Sequence, residues 1–459
     1  MEKSASWEIQ QEANSSIKNE NENTKIQEVS RTSSGNENQN EQSVISAQTI
    51  MLQMLRFLVQ NERRIYRNEC RIYKVPFHLR KWNKEAYTPN VISIGPYHHN
   101  KKKFQTMEKH KERYFKRFMQ RAERNPEDLV SIIKEMEDSI QRCYVETVQL
   151  NWDDFAQMIL LDATFILELF LKCNFGEWTR DDPMFVEAWR YSMVQHELLL
   201  LENQLPFFVI EKLYHLALPS YSNSFSLIQL TFRFFKSLNI HGKAPKAEIQ
   251  HFGDLLRFFQ LPDDPPERQP KMIYPKYSAT QLHEAGVKFK LASSKCILDL
   301  NFERGVLEIP LLDFQDDTEA CVRNIMALEQ CDFAMDRHIT DFYLILDRLI
   351  NTEKDVDLLC EKGIIVNCLG DNNVITSMIN KLNRGILRGD MNTKHYKLCE
   401  DLNKFYEEPW HRWKALLRHK YFSTPWGTAS TIAAVILLVL TLIQTVCSII
   451  QIVPIVKSW

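Results

Sequence analysis

The chain has 459 residues, 57 basic and 59 acidic, and a formal net charge of −2. So even a balance excludes the broad positive field of a nucleic-acid binder. An apolar share of 44% is ample for a sizeable core, while only 12 glycines argue against a glycine-lined nucleotide site.

Residues 1–42 read as a disordered, polar leader. Eight Glu against three Lys and one Arg give a net charge of −4. Too few large apolar side chains are present to offset the entropy of ordering, and no apolar signal-peptide core occurs. A globular domain is expected over 43–420. A helix is predicted near Ser43, where Ile50, Met51, Met54, Leu55 and Leu58 recur at helical spacing. Pro76 disfavours helix at Val75, so 70–76 reads as an extended entry. Tyr87–Tyr97, punctuated by Pro89, Gly95 and Pro96, reads as extended chain and turn.

A strongly basic helix follows, from about Phe104 to Ala122. Phe104, Met107, Lys111, Tyr114 and Phe118 form its inward stripe, with Lys103, Lys109, Lys116 and Arg117 opposite. The bland reading of that outer face is a solvated surface. The sharper one is contact with anionic lipid through Lys109, Lys116 and Arg117. Further helices are predicted over 154–173 and 184–203, and another opened by Pro206 as its first residue. Asp162 and Glu168 lie in the first of these. Six residues rotate about 600°, so the two carboxylates diverge and form no acid/base pair. Asp162 is expected to meet a Lys or Arg from elsewhere, since a lone buried carboxylate is costly. Glu202-Asn203-Gln204 interrupts two apolar blocks. It is read as satisfying backbone groups at a helix junction, against the alternative of a polar pocket lining.

The proline-rich stretch 261–278 reads as a long surface loop and a candidate seam between subdomains. Cys296–Pro310 carries the clearest strand signal. Alternating residues up to Glu303, then Arg304-Gly305, then Val306–Ile309 predict a β-hairpin. Asp317 or Thr318 is expected to cap the next helix, followed by helices over 341–351 and 355–362. Thr352 and Asp355 resemble a capping box.

From Tyr421 to Val456 there is no Asp, Glu, Lys, Arg or His. Residues 429–453 are expected to cross a membrane, since roughly 25 helical residues reach across about 30 Å of hydrocarbon. Arg412, Lys414, Arg418 and Lys420 precede this span and Lys457 follows it. That asymmetry predicts a cytosolic main domain; the short tail, 454–459, resembles a tail-anchored arrangement, with the plasma membrane and the endoplasmic reticulum both left open by the sequence. The ten cysteines form no Cys-x-x-Cys and read mostly as reduced, buried small hydrophobes. Gly-x-Ser-x-Gly and His-Glu-x-x-His are absent. His98, His99 and His110 could be imagined as metal ligands, but adjacent histidines on a turn rarely converge, and a structural role is preferred. No metal, cofactor or nucleic acid is expected.

Several phrases agree with one family. They are Val75-Pro76, SIGPYHH at Ser93–His99, MEKHK at Met107–Lys111 and LLLLENQLPFF at Leu198–Phe208. AGVKFK at Ala285–Lys290, GVLEIP at Gly305–Pro310, ALEQC at Ala327–Cys331 and the run from Tyr421 to Trp426 continue them. In this order, across Cys70–Val453, they resemble the plant domain-of-unknown-function family two-four-seven. The resemblance makes Pro76, Gly95, Pro96, His98, His99, Glu108 and Lys111 signature residues. It adds Glu202, Asn203, Gln204, Pro206, Glu329, Gln330, Cys331, Pro425 and Trp426. It implies a mainly α protein and no established enzyme activity. Some members are linked to self-incompatibility recognition in grasses, which implies a class of role. Two positions depart: Asn100 stands where the family often has Gly, and Ala163-Thr164 replaces Gly-Cys.

The fold expected is therefore mainly α: a large helical domain with a small β-hairpin, plus one C-terminal transmembrane helix. The function expected is a membrane-anchored, non-catalytic recognition or signalling component whose partners are membrane lipid and an unknown protein. The rivals are a membrane-bound enzyme of unrecognised chemistry, with a pocket near Glu202 or His98, and a structural scaffold.

Overall fold

The computed structural model describes residues 70–245, 248–333, 336–410, 413 and 425–456. The leader, the helix expected near Ser43, Lys457 and most of the basic stretch before the apolar helix lie outside them. The architecture is mainly α, with short strands between the helices.

The long helix Trp152–Phe175 is the hub. Asn151 caps it, accepting from the Asp154 amide at 2.9 Å, and Gly176 ends it at φ +70°. Apolar residues surround its middle, so both flanks are covered. The basic helix Gln105–Met119, entered through a 3₁₀ turn at Lys102–Phe104, lies against one side. Its inward stripe is the one the spacing predicts: Phe104, Met107, Lys111, Tyr114 and Phe118 are buried. Each large apolar member contributes about 1.5–3 kcal/mol on burial. On another side, Phe170 meets the rings of Phe234, Phe235 and Phe252. One contiguous apolar core takes in residues from Ile72 to Leu402.

The predicted helix over 184–203 is interrupted and shorter. Pro183–Val186 and Ala188–Glu197 are separate helices, with Glu187 at φ −113°, ψ 83° between them. The second ends because side chains take the carbonyls a continuing helix would use. Asn203 Nδ2 donates to Glu197 O, and Gln204 Nε2 donates to Leu198 O and Leu200 O. Pro206 precedes its helix rather than starting it. Its ψ of 129° makes it the N-cap of Phe207–Ala217.

The hairpin forms, but it is smaller than the alternation suggests and joins a larger sheet. Strands are β1 (Arg268–Gln269), β2 (Lys288–Leu291), β3 (Asn301–Glu303), β4 (Val306–Ile309), β5 (Leu312–Phe314), β6 (Ile365–Asn367) and β7 (Met391–Asn392). β3 and β4 pair antiparallel around Arg304 and Gly305, at φ +51° and +75°, as a tight two-residue turn requires. β2 pairs parallel with β4 on its other edge. Residues 296–300 turn instead of extending, with Asp299 N donating to Cys296 O and the Ser294 hydroxyl to Asp299. β1 pairs with β7 and β5 with β6.

Thr352 and Asp355 form the capping box the sequence suggests, on helix Glu353–Glu361. The cysteines are less buried than expected. Among the described residues only Cys143, Cys296 and Cys399 are buried, and Cys368 and Cys447 are exposed. Asn100 sits at φ +60°, a left-handed position that Gly adopts freely and Asn tolerates. The last helix, Pro425–Val456, is mostly apolar and uncharged throughout. Its Ala429–Cys447 stretch has a mean hydropathy of 2.3, and none of it is buried against the other described residues. Thr441 and Thr445 satisfy their own hydroxyls by donating to the carbonyls of Leu437 and Thr441.

Candidate functional site

Two signature residues, Lys111 and Asn203, converge with Glu197 and Asp162 on one extended segment, Asn90–Gly95. Its backbone has no strand partner among the described residues. Side chains from three helices and a turn supply its hydrogen bonds. The Glu197 carboxylate accepts from the amides of Asn90, Val91 and Ile92 at 2.6–2.9 Å. Asn203 accepts from Ile94 N at 2.7 Å and donates to Ile92 O at 3.2 Å. Asp162 accepts from Gly95 N at 2.8 Å, and Lys111 donates to Ser93 O. A buried backbone needs every group paired, and this one is paired by chemistry from distant parts of the chain.

Lys111 and Asp162 form the centre of this arrangement. The Lys111 ammonium reaches Asp162 at 2.6 Å, Glu108 at 2.7 Å and Ser93 O, so all three of its donors are used. Lys111 and Asp162 are both 1% exposed. Burial pushes the Asp162 carboxyl up to about 6 even with Lys111 beside it. Glu168 lies elsewhere, paired with Arg121 at 2.9 Å. Both expectations hold: Asp162 meets a lysine, and the two carboxylates diverge.

Glu202 closes the neighbouring corner. It accepts from Val75 N at 2.8 Å and from Arg80, and lies 3.0 Å from His98 Nε2. Burial alone would raise its pKa, but His98, Arg80 and the Val75 amide outweigh it and hold the carboxyl below its ordinary value. Gln204 accepts from Phe252 N at 2.9 Å while donating to two carbonyls. The Glu-Asn-Gln triplet therefore satisfies backbone, as read, but over a wider area than one helix junction.

The three histidines do not converge. His98 lies on Glu202 and on Lys101, whose Nζ is 2.6 Å from Nδ1. Burial depresses the pKa of all three. His99 feels the nearby Glu108, while His110 feels Arg190 and Arg113. Pro96 O accepts from His99 N in the turn. Pro76 precedes the short helix Phe77–Arg80, which delivers Arg80.

The Glu329-Gln330-Cys331 signature lies apart. Glu329, fully buried, accepts from the amides of Ile339 and Thr340, the Thr340 hydroxyl and Arg257 Nε at 2.7–3.2 Å. It thus holds the N-terminus of helix His338–Leu349, where a negative charge is favoured. Gln330 accepts from Leu387 N at 2.9 Å. Burial pushes the half-buried Cys331 thiol up to about 12, leaving it unreactive. Asn324 links the two regions, accepting from Leu201 N and donating to Ala86 O. Pro425 and Trp426 open the apolar helix, and their side chains lie outside the described residues. Ala163 and Thr164 are buried, and Thr164 donates to Leu160 O within its own helix.

Sequence reading missed Glu197, Arg80 and Arg257. Glu197 had a usable signal: an acid directly before an apolar run. Arg80 and Arg257 had none, because each depends on chain more than 70 residues away. On the outer face of the basic helix, Lys109, Lys116 and Arg117 are exposed.

Two predictions arise here. Gly95 sits at φ +71°, and a Cβ there would run into the Gln204 carbonyl. Gly95→Ala should lower stability by about 2–4 kcal/mol through strain and the forced shift. Denaturant unfolding with an unchanged midpoint would contradict it. His251 Nδ1 accepts from Asp254 N at 3.1 Å, and burial lowers its pKa from 6.5 to about 4. A protonated ring cannot accept, so its contribution is complete above pH 6.5 and lost as pH falls through about 4. His251→Asn keeps a capping acceptor without that titration. Its thermal midpoint should fall less between those pH values than that of the natural chain; equal declines would refute this.

The plant family model DUF247, described as a plant protein of unknown function, matches residues 72–440. A UPF0481 protein of Arabidopsis thaliana is 30% identical over 422 residues, covering 84% of this chain and 87% of its own. A second UPF0481 protein of the same plant is 22% identical over 482 residues, covering 81% and 89%. No solved structure matches.

Proposed function

The chain belongs to the plant DUF247 family, and we propose that it is a membrane-anchored, non-catalytic recognition or signalling component. Its folded body faces the cytosol, and its role is of the class that includes self-incompatibility recognition. The observation that carries this reading is the exposed apolar helix. Ala429–Cys447 is long enough for a bilayer, carries no charge and is covered by nothing else among the described residues. An uncovered surface of that size in water is a strong liability. Arg412, Lys414, Arg418 and Lys420 ahead of it support the cytosolic placement.

The signature chemistry supports a binding role over a catalytic one. Glu197, Glu202 and Glu329 spend their oxygens on amides and guanidinium groups, and buried groups so engaged hold the fold instead of turning over a substrate. Anionic lipid meets Lys109, Lys116 and Arg117, and a protein partner meets the remaining surface.

Proximity labelling from the full-length chain in its native tissue tests the role. A reproducible partner set distinct from that of an unrelated tail-anchored control is expected. A map identical to the control's would overturn recognition in favour of a passive scaffold.

A further inference from the structure

We propose that the corner formed by Phe185, Val186 and Trp189 inserts into the headgroup region of an anionic bilayer, beside the basic helix. This rests on the tethered reading above and adds a second contact to it. The three side chains are 59%, 61% and 57% exposed. Single exposed apolar residues are ordinary, but three large ones within five positions form a patch.

The corner is rigidly held. Helix Pro183–Val186 has only four residues, too few to be stable alone. Asp182, 2% exposed, fixes it from below. Its carboxylate accepts from Met184 N at 3.0 Å, from the Tyr114 hydroxyl at 2.8 Å and from Lys172 Nζ at 2.6 Å. Pro183 and Met184 are buried beneath. A buried carboxylate, ammonium and phenol are thus committed to a segment whose outward side chains are apolar.

Its surroundings select the occupant. Tyr114 belongs to the basic helix, so the corner is clamped directly to it. Arg113 of that helix pairs with Asp181 at 2.7 Å. Arg190 lies over the Trp189 ring at 5.1 Å, pairs with Glu187 at 2.7 Å and reaches Met107 of the same helix. Large apolar side chains, an amphipathic indole and the exposed Lys109 and Lys116 of the adjoining helix are the combination that seats on an anionic interface. The tether keeps that interface within reach at high effective concentration.

The test uses the full-length chain in lipid nanodiscs containing brominated phosphatidylcholine, comparing the natural chain with Trp189→Phe to isolate the emission of Trp189. In discs rich in phosphatidylserine, that emission should be quenched about twofold or more, as expected for an indole at the interface. The quenching should be lost in K109E/K116E/R117E. Unquenched Trp189 in a chain that co-elutes with the anionic discs overturns the contact and leaves the corner to a protein partner. A chain that fails to co-elute with any disc overturns the tether, and this contact with it.

Discussion

Asp162→Ala should destabilise the folded body by about 3–5 kcal/mol, because it leaves the Lys111 ammonium buried without its closest counter-charge. The ion pair is 2.6 Å long and both groups are 1% exposed. The same change removes the acceptor for Gly95 N, so the extended segment loses a hydrogen bond as well. A fall in thermal midpoint of roughly 4–7 °C is expected for a folded body of this size. Lys111→Met combined with Asp162→Asn should cost less than Asp162→Ala, since it removes both charges and keeps an acceptor. Asp162 is no simple stabiliser. With its pKa raised from 3.8 to about 6, its own titration favours the folded state below about 3.8, and that advantage is lost as pH rises through about 6. A loss below about 1 kcal/mol for Asp162→Ala, the range of an exposed pair, would show that the pair is solvated.

Glu329→Ala should cost a similar amount, about 3–5 kcal/mol, by a different route. It orphans two amides at the start of helix His338–Leu349 and removes the carboxylate facing Arg257, which is 5% exposed. Glu329→Gln keeps an acceptor for the amides and removes only the charge. It should cost roughly half as much, since a neutral hydrogen bond is about half as strong as a charge-assisted one. Chemical denaturation separates the variants. Equal losses would mean that the charge facing Arg257, and not the acceptor for the amides, sets the energy.

Much of this molecule is readable from local spacing. The inward stripe of the basic helix, the long hub helix, the capping box at Thr352 and Asp355 and the turn at Arg304-Gly305 all follow from residues near one another in sequence. The pairing of Asp162 with a lysine follows from the cost of the alternative. What sequence could not supply is which lysine, because Lys111 lies 51 positions away. The same limit hid the sheets. β1 meets β7, and β5 meets β6, through pairings with no turn to announce them. It also hid the end of helix Ala188–Glu197, which Asn203 and Gln204 terminate by taking its carbonyls from beyond the junction. Alternation misled at 296–300, where Cys296 and Leu298 point inward from a turn instead of a strand.

Fractionation of the full-length chain tests the central claim most directly. In a detergent-free lysate spun at high speed, the chain should sediment with membranes, resist alkaline carbonate and be released only by detergent, the behaviour the proposed membrane anchor at Ala429–Cys447 requires. Intact chain in the supernatant would contradict the tether and every membrane contact built on it.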